Sequence, residues 1–253
     1  MRGGIPGEVR EGNHHQFLKT FFGKLKMNSE IPDEYRKGFT KFLNCKIDLR
    51  NRVFIPRIET EFWVGKVINE IQYASKKRSL NSCVFILDMF AGSGCIGIAI
   101  LRACPEFCRR VDFVDNDKKA IEQIKINLKL NKIPKERYKI YKSDLFEKLK
   151  NKKYDIIFAN PPYVAKERVK EVQPSVLRYE PKKAILAGKK GLFYIKKFLK
   201  EAKKHLKKDG IIYLEFDPLQ KEDIEKISEK EKYKNFQFFK DQFKKYRWVK
   251  IKH

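Results

Sequence analysis

Short apolar runs alternate with helical patterns along most of this chain, and this alternation limits the possible folds more than any other feature. Five runs have the composition of β-strands: Val84–Asp88, Val111–Asp115, Tyr138–Tyr141, Tyr154–Ala159 and Gly210–Phe216. Helical spacing of apolar residues lies between or before them, most clearly in Glu59–Lys77 and Lys118–Leu130. This order is typical of a parallel sheet with helices on both faces, so we predict an α/β fold.

The two ends of the chain depart from this alternation. Residues 29–43 predict a helix, because a serine precedes aromatic residues that recur at helical spacing. Phe236–Phe239 and Trp248–Ile251 predict a closing hairpin. We therefore divide the chain into a short basic and helical N-terminal extension, residues 1–45, and a main domain, residues 46–253.

The chain is strongly basic, with 58 Lys and Arg residues against 32 Asp and Glu residues and a formal net charge of +26. One interpretation is an anionic partner, such as RNA or the ribosome, that the basic surface binds weakly. The other is a drift toward lysine without function, because most of the excess is lysine spread along the whole chain. The charge alone does not decide between them.

Cysteine and histidine usage predicts neither a metal site nor a disulfide framework. The five cysteines form no Cys-x-x-Cys pair, and the four histidines complete no zinc-ligand spacing. An odd number of cysteines without a signal peptide indicates a cytoplasmic protein. The longest apolar stretch, Cys83–Leu101, contains Asp88 and three glycines, so it does not predict a membrane span. We expect a monomer that does not bind membranes.

A glycine-rich turn follows the first predicted strand. Its residues are Phe90, Ala91, Gly92, Ser93 and Gly94, and a predicted helix begins directly after them. At the carboxyl end of a strand, such a turn lets a ligand approach the backbone closely, and the helix N-terminus presents free N–H groups. A tight turn without a ligand, or a dinucleotide site, is the alternative, although the spacing is not Gly-x-Gly-x-x-Gly.

Acidic residues follow the next two predicted strands. Asp115 is placed to accept hydrogen bonds from ribose hydroxyls, whereas Asp117 suits the N-cap of the following helix. Asp144 can accept from an adenine amino group while Leu145 packs on the ring; the alternative is an N-cap for a short helix over Phe146–Leu149. Signals at the ends of three successive strands are more specific than any one of them and predict a cofactor site.

The tetrapeptide Asn160-Pro161-Pro162-Tyr163 follows the fourth predicted strand and indicates the reaction. An amide or aromatic amino nitrogen attacks a sulfonium methyl group poorly, because its lone pair is delocalised. The enzyme must therefore orient that nitrogen and accept hydrogen bonds from its N–H groups. The Asn160 side-chain oxygen and the Pro161 carbonyl are two such acceptors, and the paired prolines restrict the backbone. Tyr163 offers a flat wall for a planar group. A rigid surface turn is the alternative.

This tetrapeptide resembles that of the amino-methyltransferases, which modify DNA adenine, RNA guanine or protein glutamine. A second segment, Phe54–Glu61, resembles the Ile-Pro-Arg-Pro-Glu-Thr-Glu signature of the release-factor glutamine methyltransferases, the HemK/PrmC family. The chain has Ile58 where that family usually has proline. Arg178–Pro181 and Lys240–Val249 resemble further elements of the same family.

The resemblance implies a seven-stranded Rossmann-like methyltransferase fold whose last strand is antiparallel. It implies S-adenosylmethionine as cofactor and, as substrate, the glutamine of the Gly-Gly-Gln loop in class 1 peptide chain release factors. The implied cofactor-binding residues are Phe90, Ala91, Gly92, Ser93, Gly94, Asp115, Asp144, Leu145 and Asn160. The implied catalytic residues are Asn160, Pro161 and Tyr163, which together with Pro162 line the glutamine slot. Glu59, Thr60 and Glu61 are expected to cap and brace a helix over the cofactor, without a catalytic role.

Residues 1–45 are shorter than the helical domain with which family members usually grip the release factor. Either the positive charge compensates for this or the partner differs. The alternative function is that of an adenine or guanine N-methyltransferase acting on DNA or RNA, which shares the tetrapeptide and would use the basic surface directly. No insertion in the chain is large enough for a separate base-recognition region. A binding module that has lost turnover is a third possibility.

Overall fold

The computed structural model describes residues 31–77 and 84–252. In this part of the chain, a two-stranded hairpin precedes a seven-stranded sheet. The hairpin consists of β1 (Phe39–Phe42) and β2 (Cys45–Asp48). The strands of the sheet are β3 (Val84–Met89), β4 (Cys108–Asp115), β5 (Tyr138–Lys142), β6 (Tyr154–Ala159), β7 (Leu206–Glu215), β8 (Asn235–Lys240) and β9 (Tyr246–Lys252).

The order of strands across the sheet is β5-β4-β3-β6-β7-β9-β8. Strands β3 to β7 are parallel, and β9 is antiparallel to both of its neighbours. The strand order reverses at β3, because β4 and β5 lie on one side of it while β6 and β7 lie on the other. Ligands of open α/β sheets bind at such a reversal, beyond the carboxyl ends of the strands. The predicted seven-stranded Rossmann-like methyltransferase fold with an antiparallel last strand is confirmed.

Helices cover both faces of the sheet. They are α1 (Asp33–Lys37), α2 (Ile58–Lys77), α3 (Cys95–Ala103), α4 (Lys118–Leu130), α5 (Pro174–Tyr179), α6 (Phe193–Ala202) and α7 (Lys221–Lys230). Successive residues of a strand point to opposite faces, so Ile86 packs with the cluster of α2, α3 and α4 while Leu87 packs with that of α6 and α7. No helix in the described part of the chain has the length and apolar character needed to cross a bilayer.

The predicted helix over residues 29–43 is wrong beyond Lys37. Helix α1 ends there because Gly38 adopts the left-handed conformation, with a φ of 74°, and the following residues form β1. Aromatic residues three positions apart fit a helix and a short hairpin equally well, so the glycine is the deciding signal. Residues 29 and 30 lie outside the described part of the chain.

The hairpin docks on α4 through Gln123 and Asn127 on one face of the helix and through Asn131 at its C-cap, which recur at four-residue spacing. Asn127 accepts from the Asp48 amide at 2.7 Å and donates to the Asp48 carbonyl at 3.1 Å. Asn131 contacts the Lys46 amide and carbonyl in the same way, at 3.3 and 2.8 Å. These amides take the place of a neighbouring strand at the free edge of β2. The boundary predicted at residue 45 falls inside this hairpin, and the division into two parts stays a prediction.

Candidate active site

A cavity of about 480 Å³ lies beyond the carboxyl ends of β3, β4, β5 and β6, next to the point where the strand order reverses. Its lining includes these residues singled out from the sequence: Phe90, Ala91, Gly92, Ser93, Asp115, Asp144, Leu145, Asn160, Pro161, Pro162 and Tyr163. Gly94 lies directly behind them, at the N-cap of α3. The fold thus brings motifs from four strand ends to one cavity, whereas the role of each residue stays a prediction.

The turn after β3 is held against the end of β4 by Asp115. Phe90, Gly92 and Gly94 all have a positive φ, so the backbone reverses within a few residues. The Asp115 carboxylate accepts from the Gly92 amide and from the Asp117 amide, each at 2.9 Å. Burial raises the pKa of Asp115, and these backbone hydrogen bonds oppose the rise. A carboxylate has about four acceptor positions, so capacity remains for hydroxyl groups of a ligand.

Asp88 lies under the same turn at the end of β3. Its Oδ2 accepts from the Gly97 amide at 2.9 Å, while its Oδ1 is buried without a hydrogen-bond partner. Burial raises the pKa of Asp88 to about 8, and the Asp115 carboxylate contributes to the rise. The environment of Asp88 therefore favours the protonated form of its carboxyl group. Gly97 lets α3 pack directly on β4, since a Cβ there would lie 2.4 Å from the Phe113 ring.

Asp144 and Leu145 follow β5 at another wall of the cavity. The Asp144 carboxylate accepts from the Lys197 ammonium at 2.6 Å, and Leu145 is buried with a φ of 45°. Residues 145–148 form turns, so the interpretation of Asp144 as the N-cap of a short helix is wrong. The expectation that Asp117 caps α4 is confirmed, because its side chain accepts from the Lys119 amide.

The backbone of the tetrapeptide is fixed from behind. Gln220 donates from Nε2 to the carbonyl oxygens of Tyr163 and Lys190, at 2.9 Å in both cases. Gly191 has a φ of 68° and approaches so closely that a Cβ there would lie 1.9 Å from the Tyr163 carbonyl oxygen. Val164 pairs with Leu186 through an isolated parallel bridge. The position of the tetrapeptide is thus set by the segment between α5 and α6 together with Gln220, which follows β7.

Glu215 connects three side chains around the tetrapeptide, and sequence reasoning missed it. The side chain is fully buried at the end of β7. Its Oε2 accepts from the Thr60 hydroxyl and the Trp63 indole N–H, each at 2.7 Å, and its Oε1 accepts from the Tyr163 hydroxyl at 3.1 Å. Burial raises the pKa of Glu215, opposed by these donors and by the Arg247 guanidinium. One signal was available, because an acidic residue interrupts an apolar run that is buried on both faces.

Thr60 therefore does more than brace α2. Its hydroxyl joins α2 to β7 through Glu215, and its oxygen also lies 3.3 Å from the Asn160 side-chain nitrogen. Glu61 accepts from the Leu43 amide at 2.5 Å, which fixes the hairpin on the start of the same helix. Glu59 lines the cavity.

The two other segments singled out from the sequence meet at a single ion pair. The Arg57 guanidinium donates to the buried Glu180 carboxylate, which also accepts from the Ile55 amide at 3.1 Å. Burial raises the pKa of Glu180, and Arg57 lowers it. The guanidinium also lies over the Phe54 ring, with 4.5 Å to the ring centroid.

Comparison with known proteins places this geometry among methyltransferases. Residues 77–178 match the model of the methyltransferase small domain. The chain is 33% identical over 221 residues to the release factor glutamine methyltransferase of Thermodesulfovibrio yellowstonii, covering 87% of this chain and 75% of that protein. It is 32% identical over 228 residues to the protein of the same name in Lactococcus lactis, covering 90% of this chain and 79% of the relative.

Solved structures share the fold at much lower identity. A methyltransferase from Pyrococcus furiosus superimposes with a TM-score of 0.54 at 15% identity, covering 94% of this chain and 97% of that one. The ribosomal protein L11 methylase from Lactobacillus delbrueckii subsp. bulgaricus gives a TM-score of 0.52 at 18% identity, covering 81% and 82%. These two likenesses concern the fold alone.

Proposed function

The chain belongs to the family of release factor glutamine methyltransferases, and we propose that it methylates the side-chain amide nitrogen of the glutamine in the Gly-Gly-Gln motif of a class 1 peptide chain release factor. The methyl donor would be S-adenosylmethionine, on which this class of methyltransferases depends. One observation carries the proposal: the turn after β3, the Asp115 carboxylate and the Asn160–Tyr163 tetrapeptide line the same cavity. A donor and an acceptor of the methyl group could therefore meet there.

The cavity suits the donor in size and in chemistry. Its volume lies within the usual range for small-molecule sites. In our proposal, the Phe90–Gly94 turn holds the amino-acid part, Asp115 accepts from the ribose hydroxyls, and Asp144 and Leu145 contact the adenine. The spare acceptor positions on the Asp115 carboxylate support this assignment. When bound, S-adenosylmethionine supplies an electrophilic methyl group on a sulfonium.

The tetrapeptide would orient the glutamine amide. The Asn160 side-chain oxygen and the Pro161 carbonyl accept one hydrogen bond each from its NH₂ group, which turns the nitrogen toward the methyl group. Pro161 and Pro162 are buried, and Gln220 with Gly191 fixes the backbone behind them. Tyr163 stacks against the planar amide while its hydroxyl stays bound to Glu215. Each of these groups is held before the substrate arrives.

A net charge of +26 favours one second candidate, an adenine or guanine N-methyltransferase that acts on DNA or RNA. We propose instead that the basic surface gives a monomeric, cytoplasmic enzyme a weak affinity for RNA or the ribosome. RNA binding should weaken steeply with salt under either proposal, whereas methylation of an isolated release factor should change little between low and physiological salt. A steep salt dependence together with methyl transfer to the RNA itself would favour the second candidate.

The decisive experiment offers labelled S-adenosylmethionine and four acceptors to the purified protein. These are a class 1 release factor, its Gln→Ala variant at the Gly-Gly-Gln motif, total RNA and genomic DNA. We expect label in the release factor and none in the other three. Equal labelling of the Gln→Ala variant would contradict the glutamine assignment, and label in RNA or DNA alone would establish the second candidate.

A further inference from the structure

We propose that Thr60 and Glu215 determine which end of the Asn160 side-chain amide faces the substrate. The two ends of an asparagine amide are nearly equal in shape but opposite in hydrogen bonding, because one accepts and the other donates. Only the acceptor end can hold a substrate NH₂ group. This inference rests on the proposed function and makes Thr60 and Glu215 positioning residues that act through Asn160.

The first step concerns the Glu215 carboxylate. The indole N–H of Trp63 can only donate, so the Oε2 that it contacts at 2.7 Å is an acceptor. A fully buried carboxylate oxygen must be supplied with donors, and the Thr60 hydroxyl is the second one, also at 2.7 Å. The single proton of the Thr60 hydroxyl is therefore committed to Glu215.

The second step concerns the contact of Thr60 with Asn160. With its proton on Glu215, the Thr60 oxygen has only lone pairs left for a neighbour. The Asn160 side-chain atom 3.3 Å away must therefore be the NH₂ nitrogen. The amide oxygen is then the end that remains for the cavity, where an acceptor is required. If the Asn160 amide were reversed, its NH₂ group would face the substrate NH₂ group, and two hydrogen-bond donors would meet without an acceptor.

The same carboxylate controls the other end of the tetrapeptide. Its Oε1 accepts from the Tyr163 hydroxyl at 3.1 Å, so Glu215 holds Tyr163 directly and Asn160 through Thr60. Thr60 and Trp63 lie on the first turns of α2, and Glu215 ends β7. Helix α2 and strand β7, which are far apart in the sequence, thus meet at the Glu215 carboxylate, which positions both ends of the tetrapeptide.

The test compares Thr60→Val with Thr60→Ser. Valine keeps the shape of threonine without the hydroxyl, whereas serine keeps the hydroxyl. We expect T60V to lower kcat by at least about tenfold. The loss should stay smaller than the roughly 10²–10³-fold typical of removing a preorganised group itself, because the Asn160 amide can still sample the productive orientation. The dissociation constant for S-adenosylmethionine should change by less than about threefold, and T60S should restore most of the lost turnover.

Glu215→Gln provides a second, independent variant. The glutamine oxygen must face Trp63 and Thr60, which leaves its NH₂ group for the Tyr163 hydroxyl, an oxygen that can accept. We expect E215Q to keep more turnover than T60V, although it changes a fully buried charge. The reverse order would overturn the proposal.

Three further outcomes are informative. A T60V enzyme with wild-type kcat would overturn the proposal, and so would a T60S enzyme as slow as T60V, since volume and not the hydroxyl would then matter. Loss of S-adenosylmethionine binding in T60V would assign Thr60 to the cofactor instead. A wild-type enzyme that labels RNA and no release factor would overturn the proposed function, and the T60V to wild-type ratio can then be measured with RNA.

Discussion

Arg57 and Glu180 lie 123 positions apart in the chain, yet the Arg57 guanidinium donates to the Glu180 carboxylate at 2.6 Å. The Glu180 side chain is completely buried, whereas the Arg57 side chain is 29% exposed. The contact ties the segment before α2 to the segment after α5. Both segments contribute to the cavity, through Arg57 and Pro181. This ion pair therefore holds two walls of the candidate site together.

We expect Arg57→Ala to lower the free energy of unfolding by about 3 kcal/mol, because it leaves a buried carboxylate without its charged partner. The pKa of Glu180 is already raised by burial, so its contribution to stability is greatest at low pH and is lost as pH rises through the folded pKa. Without Arg57 the pKa of Glu180 rises further. The loss of unfolding free energy caused by Arg57→Ala should therefore become smaller as pH falls from neutral. Urea unfolding at several pH values measures both effects.

The matched control is Arg36→Ala, which removes an exposed ion pair with Asp33. Pairs of this kind contribute between zero and about 1 kcal/mol. Equal losses for the Arg36 and Arg57 variants would contradict the assigned role of the buried pair.

Gly191 and Gly188 lie in the same loop, and both have a positive φ. Alanine at either position incurs backbone strain of roughly 1–3 kcal/mol, and Gly188, with a ψ of −153°, lies in a region that essentially only glycine occupies. At Gly191 the Cβ would also lie 1.9 Å from the Tyr163 carbonyl oxygen, whereas at Gly188 its nearest neighbour would be the Phe193 Cβ, at 3.8 Å. We expect Gly191→Ala to reduce both stability and methyl transfer, and Gly188→Ala to cost only the strain. Equal kcat values for the two variants would show that methyl transfer tolerates the shift of the Tyr163 carbonyl that a Cβ at position 191 requires.

Much of this architecture was predictable, because continuous apolar strands and amphipathic helices leave strong local patterns. The predicted strand Tyr154–Ala159 and the predicted helix Lys118–Leu130 agree with β6 and α4 to the residue. The glycine-rich turn and the tetrapeptide were also found, since each is contiguous in the chain and follows a strand.

Contacts between distant segments were not predictable from such patterns. Thr60 and Trp63 both donate to the buried Glu215 carboxylate, which lies more than 150 positions further along the chain. Thr60 belongs to the Phe54–Glu61 segment, but no local pattern pairs that segment with Glu215. The amides of α4 that bind β2 look like ordinary polar positions on a solvated helix face. The hairpin after Gly38 could not be predicted, because short aromatic segments fit the helical and the strand periodicity equally well.

Asp88 should make stability depend on pH between about 4 and 8. Its folded pKa of about 8 lies above the ordinary carboxyl value of 3.8, so the folded state retains a proton that the unfolded state has lost. Its contribution is complete below the unfolded pKa and declines by at most about 1.4 kcal/mol per pH unit until the folded pKa is passed. We expect Asp88→Asn to remove this contribution to the fall in unfolding free energy with rising pH, as measured by denaturant titrations. Asp209→Asn changes an exposed carboxylate and is the control, in which the fall should remain. The same dependence of stability on pH in both variants would rule out Asp88 as its source.

Asp115→Ala should weaken S-adenosylmethionine binding by roughly 1–3 kcal/mol, the cost of leaving polar groups unpaired. The substitution also frees the Gly92 amide that the carboxylate now holds, so the turn itself loses an anchor. Glu122→Gln is the control, because this side chain lies on the exposed face of α4 and does not line the cavity. Isothermal titration calorimetry measures both variants. An unchanged affinity in Asp115→Ala would move the ribose acceptor elsewhere.

Asn160→Ala should abolish detectable methyl transfer, because it removes the acceptor that we assign to the glutamine amide. Losing one preorganised polar group typically costs on the order of 10²–10³ in rate. Asn160→Asp nearly preserves size, but it sets a second carboxylate against the Thr60 oxygen, whose proton already serves Glu215. We therefore expect Asn160→Asp to be severely slowed, with S-adenosylmethionine binding retained in part by both variants.

The measurement is single-turnover transfer to a release factor, with Asn235→Ala on the exposed edge strand β8 as the control. Single turnover separates the chemical step from product release, so a slow rate in the Asn160 variants reports on the orientation of the amide. If the acceptor role is correct, the rate falls for both Asn160 variants while Asn235→Ala keeps the wild-type rate. Normal turnover in Asn160→Ala would contradict the mechanism itself, because the side-chain acceptor that we assign to the substrate NH₂ group would be absent.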